Sequence, residues 1–313
     1  MADSFITLSQ LTTINDRNAF DLGCTDLYDD APMLKALSAT VASNGNQHKY
    51  IKESAAPTVG FRAVNVGLAN SNSTDTEVTV PLQILDGSFA ADKAMADAYY
   101  KGAAEFIARE SRRHLRAVMF AAEQQIINGV VGANSAGFTG LADALSALSN
   151  TAHVVNAGGT TATTGSSVYL IRTNDLGVDV QVVIGQNGNL VIGDTITQQL
   201  TDSSGGHYTG YWTPIQGWMA LQVGSLASIT RIANVTADSG HTLTDALISN
   251  AIATFPASRQ PNMIVMGRRS LNQLQKSRTA VNITGAPAPI PQDSFGIPII
   301  CTDGVGAVEA LIS

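Results

Sequence analysis

The stretch FAADKAMADAYYKGAAEFIARESRRHLRAVMFAAEQQIINGV, residues 89–130, decides the fold. It is rich in alanine, contains no proline, and carries Glu105 and Arg109 at the favourable i,i+4 spacing, so it predicts one continuous helix from Ser88 to about Asn128. Ser88 stands where an N-cap oxygen would satisfy the free amides of the first turn, and Asp92 puts negative charge near the positive dipole end. Asn128-Gly129 supplies a stop. At about 1.5 Å per residue such a rod runs ~60 Å, twice the width of a small domain. No other segment offers it a partner of equal length, which points to an element spanning an extended, assembled molecule.

Upstream of the rod, residues 1–47 mix short apolar clusters with Asp, Asn, Thr and Ser, and one helix is expected over Ala31–Ala42. This region reads as an arm that packs along something else. Residues 48–87 turn extended: FRAVNVGLA and EVTVPLQIL flank the polar tip NSNSTD, the pattern of a hairpin. A two-stranded hairpin is marginal alone in water, so its apolar positions, Phe61, Val64, Val66, Val78 and Val80 beside Arg62, are expected to lie on a neighbouring surface.

Downstream comes a short helix about Leu141–Leu148, then the low-complexity NAGGTTATTGSS, read as a loop or mobile linker. Over about 166–225 the strands SVYLIR, VDVQVVIG, NLVIGD and YTGYWTPIQGWMALQVG, punctuated by turn dipeptides, predict a small antiparallel sheet or barrel inserted in a larger domain. Strand ITRIANV, helix TLTDALISNAIATF, strand NMIVMG, helix RSLNQLQKSRT, a Pro-rich loop and strand FGIPIICTD complete the order. Tyr208, Tyr211, Trp212 and Trp218 are expected to fill the core of the insert rather than to stack on a ligand.

With 313 residues, 44 % apolar and only 14 % charged, the chain must fold around a real core. Its formal charge of -7 excludes a free-standing nucleic-acid binder, which needs a basic face. Cys24 and Cys301 lack metal-ligand spacing and read as reduced thiols of a cytosolic product. No signal peptide and no run of eighteen apolar residues is present, so no membrane partner is expected. Gly-Lys-Ser/Thr, Gly-x-Ser-x-Gly, Ser-x-x-Lys and His-Glu-x-x-His are all missing, and the five histidines are scattered. The expectation is a chain with no catalytic residues, no cofactor and no metal.

Arg109, Arg112, Arg113 and Arg116 follow the i, i+3, i+4, i+7 stripe of a helix. Three uses stand open for them: a solvated or intramolecular face, ion pairing with another subunit, or contact with packaged nucleic acid.

This order of elements resembles the major capsid proteins of tailed bacteriophages, an α+β architecture of the Hong Kong 97 type. The likeness is carried by APTVGFRAVNVG, by ILDGSF through the long helix to GLAD, by SVYLIR, by NMIVMGRRSLNQLQKSRT and by FGIPIICTD. In character it is similar to coat proteins of epsilon-fifteen-type short-tailed phages, which share the SVYLIR-like strand and the Arg231-Ile232-Ala233-Asn234 step. The resemblance implies an N-terminal arm (1–47), an E-loop (48–87), a spine helix of the peripheral domain (88–130), an axial domain (131–295) with the β-rich insert, and a returning C-terminal strand (296–313). It implies self-assembly as pentamers and hexamers around double-stranded DNA, touched by weak non-specific contacts. It also implies a separate scaffolding protein, a portal, a possible decoration protein, assembly in the host cytoplasm, and a place in the virion. Lys49 and Lys52 lie at the base of the hairpin, where they read as interface charges and not as cross-linking residues. An encapsulin-like cellular compartment and a cytosolic enzyme with a β-rich lid are the rival readings.

Overall fold

The computed structural model describes residues 28–313 apart from 56, 70, 131–135, 175–176, 186–189 and 283–285. Cys24, and most of the expected arm, therefore lie outside the described residues. In chain order the elements are α1 (Pro32–Ala36), β1 (Ala39–Val41), β2 (Gln47–Ala55), β3 (Thr74–Pro81), β4 (Gln83–Asp86), β5 (Phe89–Asp92), α2 (Lys93–Asp97) and α3 (Ala103–Asn128). There follow α4 (Leu141–Ala144), β6 (Val154–Asn156), β7 (Ser166–Ile171), β8 (Val180–Ile184), β9 (Val191–Ile192), β10 (Ile196–Thr201), β11 (His207–Thr213), β12 (Ile215–Val223) and β13 (Ile229–Val235). The last elements are α5 (Asp245–Ile252), β14 (Met263–Met266), α6 (Arg268–Val281), β15 (Asp293–Ser294) and β16 (Ile297–Cys301).

The long rod is shorter than its composition predicts. The helix α3 has 26 residues and spans about 39 Å at the usual rise. Its start is Gly102, whose φ of 91° a residue with a Cβ adopts only under strain. Before it, Phe89–Asp92 forms a strand instead of a first helical turn, because its backbone pairs antiparallel with β11. Ser88 therefore caps no helix; Asp92 does, accepting from Ala94 N to start α2. Among the described residues Glu105 and Arg109 form no ion pair, and the Arg109 charge acts on the Tyr99 hydroxyl instead. The helix expected over Ala31–Ala42 is likewise cut to α1, since Ala39–Val41 pairs parallel with β8.

A six-stranded sheet, in the order β15-β16-β14-β7-β13-β6, forms the centre. Strands β7, β13 and β14 are buried on both faces. On one face Val168, Leu170, Ile232, Ile264 and Met266 pack against Ile248, Ala251 and Phe255 of the α5 region and Leu274 of α6. On the other, Tyr169, Ile171, Ile229 and Val265 join the cluster that holds Ile126, Ile127, Leu141 and Leu145. The buried stripe of α3, Leu115, Val118, Met119, Ala122, Ile126 and Ile127, recurs at helical spacing and leaves the arginines on the opposite side.

The β-rich insert is not a self-contained sheet or barrel. β8, β12 and β9 join β1 and β4 in a five-stranded sheet, while β10 and β11 pair with β5. The strands were recognisable by alternation, but β8, β11 and β12 find partners in the N-terminal third of the chain, and β7 joins the central sheet between β13 and β14. The corner between β4 and β5 passes over α3 at Gly87, where an added Cβ would lie 2.2 Å from Val118 Cγ2. The aromatic residues do not make a core either. Tyr208 and Trp218 are 40 % and 42 % exposed, and the Tyr211 hydroxyl donates to Asp97 and accepts from Lys93 at the surface. The stretch read as a loop or mobile linker is a loop, held by Asp238, which accepts from Thr160 N, Thr161 N and the Thr161 and Thr236 hydroxyls.

Candidate assembly surfaces

The hairpin expected as an E-loop is built on a ladder that differs from the expected one. Gln47–Ala55 pairs with Thr74–Pro81, so Tyr50 stands opposite Val78 and His48 opposite Val80. The segment FRAVNVGLA is not a strand. It turns at Val64-Asn65, where Asn65 has φ 65° and Val66 N donates to Ala63 O. The two arms of this tip run close together, with Leu68 Cδ1 3.8 Å from where a Cβ on Gly60 would lie.

This geometry sorts the expected interface residues into two groups. Phe61, Val64 and Val66 are 106 %, 87 % and 57 % exposed, and Val59 and Leu68 extend the same apolar surface. Arg62 beside them is exposed and has no ion-pair partner among the described residues. Val78 and Val80 are half-buried. Val80 packs on Ala42, Leu82, Val183 and Ala220, so it anchors the hairpin to its own subunit. The root is tied further by the Tyr50 hydroxyl, which donates to Val223 O at 3.2 Å, and by His48, which burial holds below its ordinary pKa. Lys49 pairs with Glu77 across the ladder at 2.8 Å.

Among the described residues this tip of apolar side chains is exposed, while its root is packed into the subunit. Leu68 lay within the expected strand FRAVNVGLA and Val59 just before it, and neither was singled out.

The four arginines do not act as one stripe. Arg116 grips Asp30 with both Nε and Nη2, at 3.0 and 2.7 Å, fastening the chain just before α1 to the spine. Arg113 pairs with Glu110 at 2.8 Å within its own helix. Arg109 holds Tyr99, whose hydroxyl it pulls below the ordinary tyrosine range. Arg112 is exposed and has neither a hydrogen bond nor an ion pair among the described residues. Asp30 was missed as a partner because only folding brings it beside Arg116.

Among the described residues no group of three His, Cys, Asp or Glu side chains gathers as a metal site, and no helix is long and apolar enough to cross a membrane.

A central sheet buried on both faces, a long helix sharing its apolar cluster and a β2–β3 hairpin with an exposed tip fit the Hong Kong 97-type capsid class. A solved structure of bacteriophage epsilon15 aligns with 88 % of this chain and 88 % of its own at a TM-score of 0.64 and 18 % identity. The bacteriophage JBD30 capsid aligns over 85 % of this chain and 88 % of its own at 9 % identity and a TM-score of 0.46. The SrpI encapsulin of Synechococcus elongatus aligns over 69 % of this chain and 92 % of its own at 11 % identity and a TM-score of 0.44. No curated protein matches in sequence. The chain belongs to the major capsid protein GP7 family, whose model it matches over residues 26–289. It is a coat protein, and self-assembly into a shell is its function.

Proposed function

We propose that this coat protein assembles as pentamers and hexamers into an icosahedral shell around double-stranded phage DNA. The observation that carries the reading is the E-loop tip, where Val59, Phe61, Val64, Val66 and Leu68 are all exposed among the described residues. Such a surface on a shell protein is buried by neighbouring copies, where obligate interfaces run to several thousand Å². Residues 1–47 act as the arm, 48–87 as the E-loop, 88–130 as the spine region, 131–295 as the axial domain and 296–313 as the returning C-terminal segment. Arg62 and Arg112, both exposed and without an ion-pair partner among the described residues, meet acidic groups of adjacent copies.

A net charge of -7 suits a container whose contents must enter and leave, so contact with DNA is weak and non-specific. The shell forms in the host cytoplasm with a separate scaffolding protein and a portal, takes up a decoration protein where one is encoded, and becomes the virion coat. The chain itself carries out no catalysis. Nuclease treatment of particles purified from producing cells, followed by extraction, tests the contents. Protected double-stranded DNA of uniform genome length supports the reading; shells filled with an enzyme and free of DNA establish the encapsulin alternative.

A further inference from the structure

Glu123 is the charged side chain that the shell-building account leaves unused. It lies on α3, fully buried, within the stretch AVMFAAEQQII. Oε2 accepts from Met33 N at 2.8 Å and Leu34 N at 3.1 Å. Oε1 accepts from the Thr302 hydroxyl, which itself accepts from Gly304 N at 3.0 Å. One carboxylate on the spine therefore binds the segment leading from the arm and the turn that follows the last strand.

The local chemistry explains why the attachment falls there. α1 begins with Ala31 at the cap position and Pro32 behind it, so it has no side-chain cap of its own. The free amides of Met33 and Leu34 need an acceptor, and Glu123 supplies one from another helix. On the far side, Thr302 N is held by Met266 O of β14, and Asn128 Nδ2 donates to Gly304 O at 2.8 Å. The C-terminal turn is thus registered against the end of α3. Seven residues before Glu123 on that helix, Arg116 grips Asp30, a second fastening of the same segment.

We propose that Glu123 is a releasable clasp that couples the two ends of the chain, so that the α1 segment and the Thr302–Gly304 turn dock on the spine helix and leave it together. A buried carboxylate shared among three donors is satisfied only when all are present. Losing the donor on one side leaves its oxygen short of a partner and weakens the hold on the other side.

The clasp is also loaded. Burial raises the Glu123 carboxyl above its ordinary value, and the Thr302, Leu34 and Met33 hydrogen bonds offset part of that rise. A group whose folded pKa is raised binds its proton more tightly in the docked state. The docked state is therefore favoured as pH falls through that value and is least favoured once the carboxylate is fully ionised. Protonation on Oε1 reverses the bond to Thr302 Oγ1 and leaves the two backbone bonds in place. The charged groups on the surrounding elements all face solvent: Lys35 on α1, Asp29 and Asp30 before it, Arg113 and Arg116 on α3, and Asp303 in the turn. Asp30, Arg113, Arg116 and Asp303 line an open cleft, and none of them is among the causes of the Glu123 shift.

Hydrogen exchange on the purified full chain tests the coupling. Thr302→Val removes one hydroxyl and keeps the shape of the side chain. It is expected to speed exchange by about tenfold or more in the peptide 302–306 and, by a similar factor, in 32–37, with β13 and β14 unchanged. Acceleration confined to 302–306 overturns the proposal. In the unmodified protein, exchange corrected for its intrinsic rate should slow in both peptides as the pH is lowered through the raised value of the carboxyl, and Glu123→Gln, which mimics the protonated clasp, should abolish that dependence. Faster exchange in acid, or equal pH dependence in the Gln variant, contradicts the clasp.

Discussion

Replacing Phe61 by serine separates folding from assembly. Phe61 is fully exposed at the E-loop tip, so its removal takes no contact from the core of its own subunit. Burying a phenylalanine side chain in an interface is worth about 2 kcal/mol, at ~25 cal/mol per Å² of apolar surface. Losing it at each subunit contact raises the concentration needed for assembly about thirtyfold, since every 1.4 kcal/mol is about tenfold. The assay is light scattering or sedimentation of capsid subunits over a concentration series, with thermal unfolding of the unassembled subunit as the control. Unfolding should shift by no more than ~0.5 kcal/mol, the range of ordinary surface substitutions. A variant that assembles at the same threshold as the parent refutes the reasoning, for it would mean that Phe61 stays in water in the shell.

Two further outcomes follow from the ion pairs. Asp179 is 1 % exposed and accepts from Arg172, from Arg259 and, at 2.5 Å, from the Ser228 hydroxyl. Asp179→Ala leaves two largely buried guanidinium groups unpaired and should destabilise the subunit by about 3–5 kcal/mol in urea unfolding; a loss below ~1 kcal/mol would show that water screens them. Reversing Arg112 and Arg113 to Glu removes only the exposed pair to Glu110, so subunit unfolding should move by less than ~1 kcal/mol while the yield of shells falls severalfold. An unchanged yield would mean that this face is solvated in the particle.

The legible parts of the fold were those set by local pattern. Ile229–Val235 and Met263–Met266 read as buried strands because their apolar runs are short and bounded by turn or helix signals, and they lie where expected. The helix from Ala103 was carried by alanine-rich, proline-free composition. Its false N-terminal extension came from Ala-rich composition, which does not show that Phe89–Asp92 meets Gly210–Thr213 across the molecule. Gly102 was the one local signal of the break. The same long-range pairing hid the true membership of the insert, since β1, β4 and β5 are its sheet partners. Among the expected interface residues, alternation marked Phe61, Val64 and Val66 but read them as a strand with its tip at residues 70–75, whereas the chain turns at Val64-Asn65; the burial of Val80 depends on the sheet beneath it. Glu123 looked like an ordinary helix glutamate, because its donors come from residues 33, 34 and 302.

Negative-stain microscopy with size-exclusion chromatography, on the protein expressed alone and with its neighbouring genes, tests the account most directly. The account predicts polyhedral shells or discrete ring-shaped capsomers. A stable monomer or dimer under every condition would contradict it.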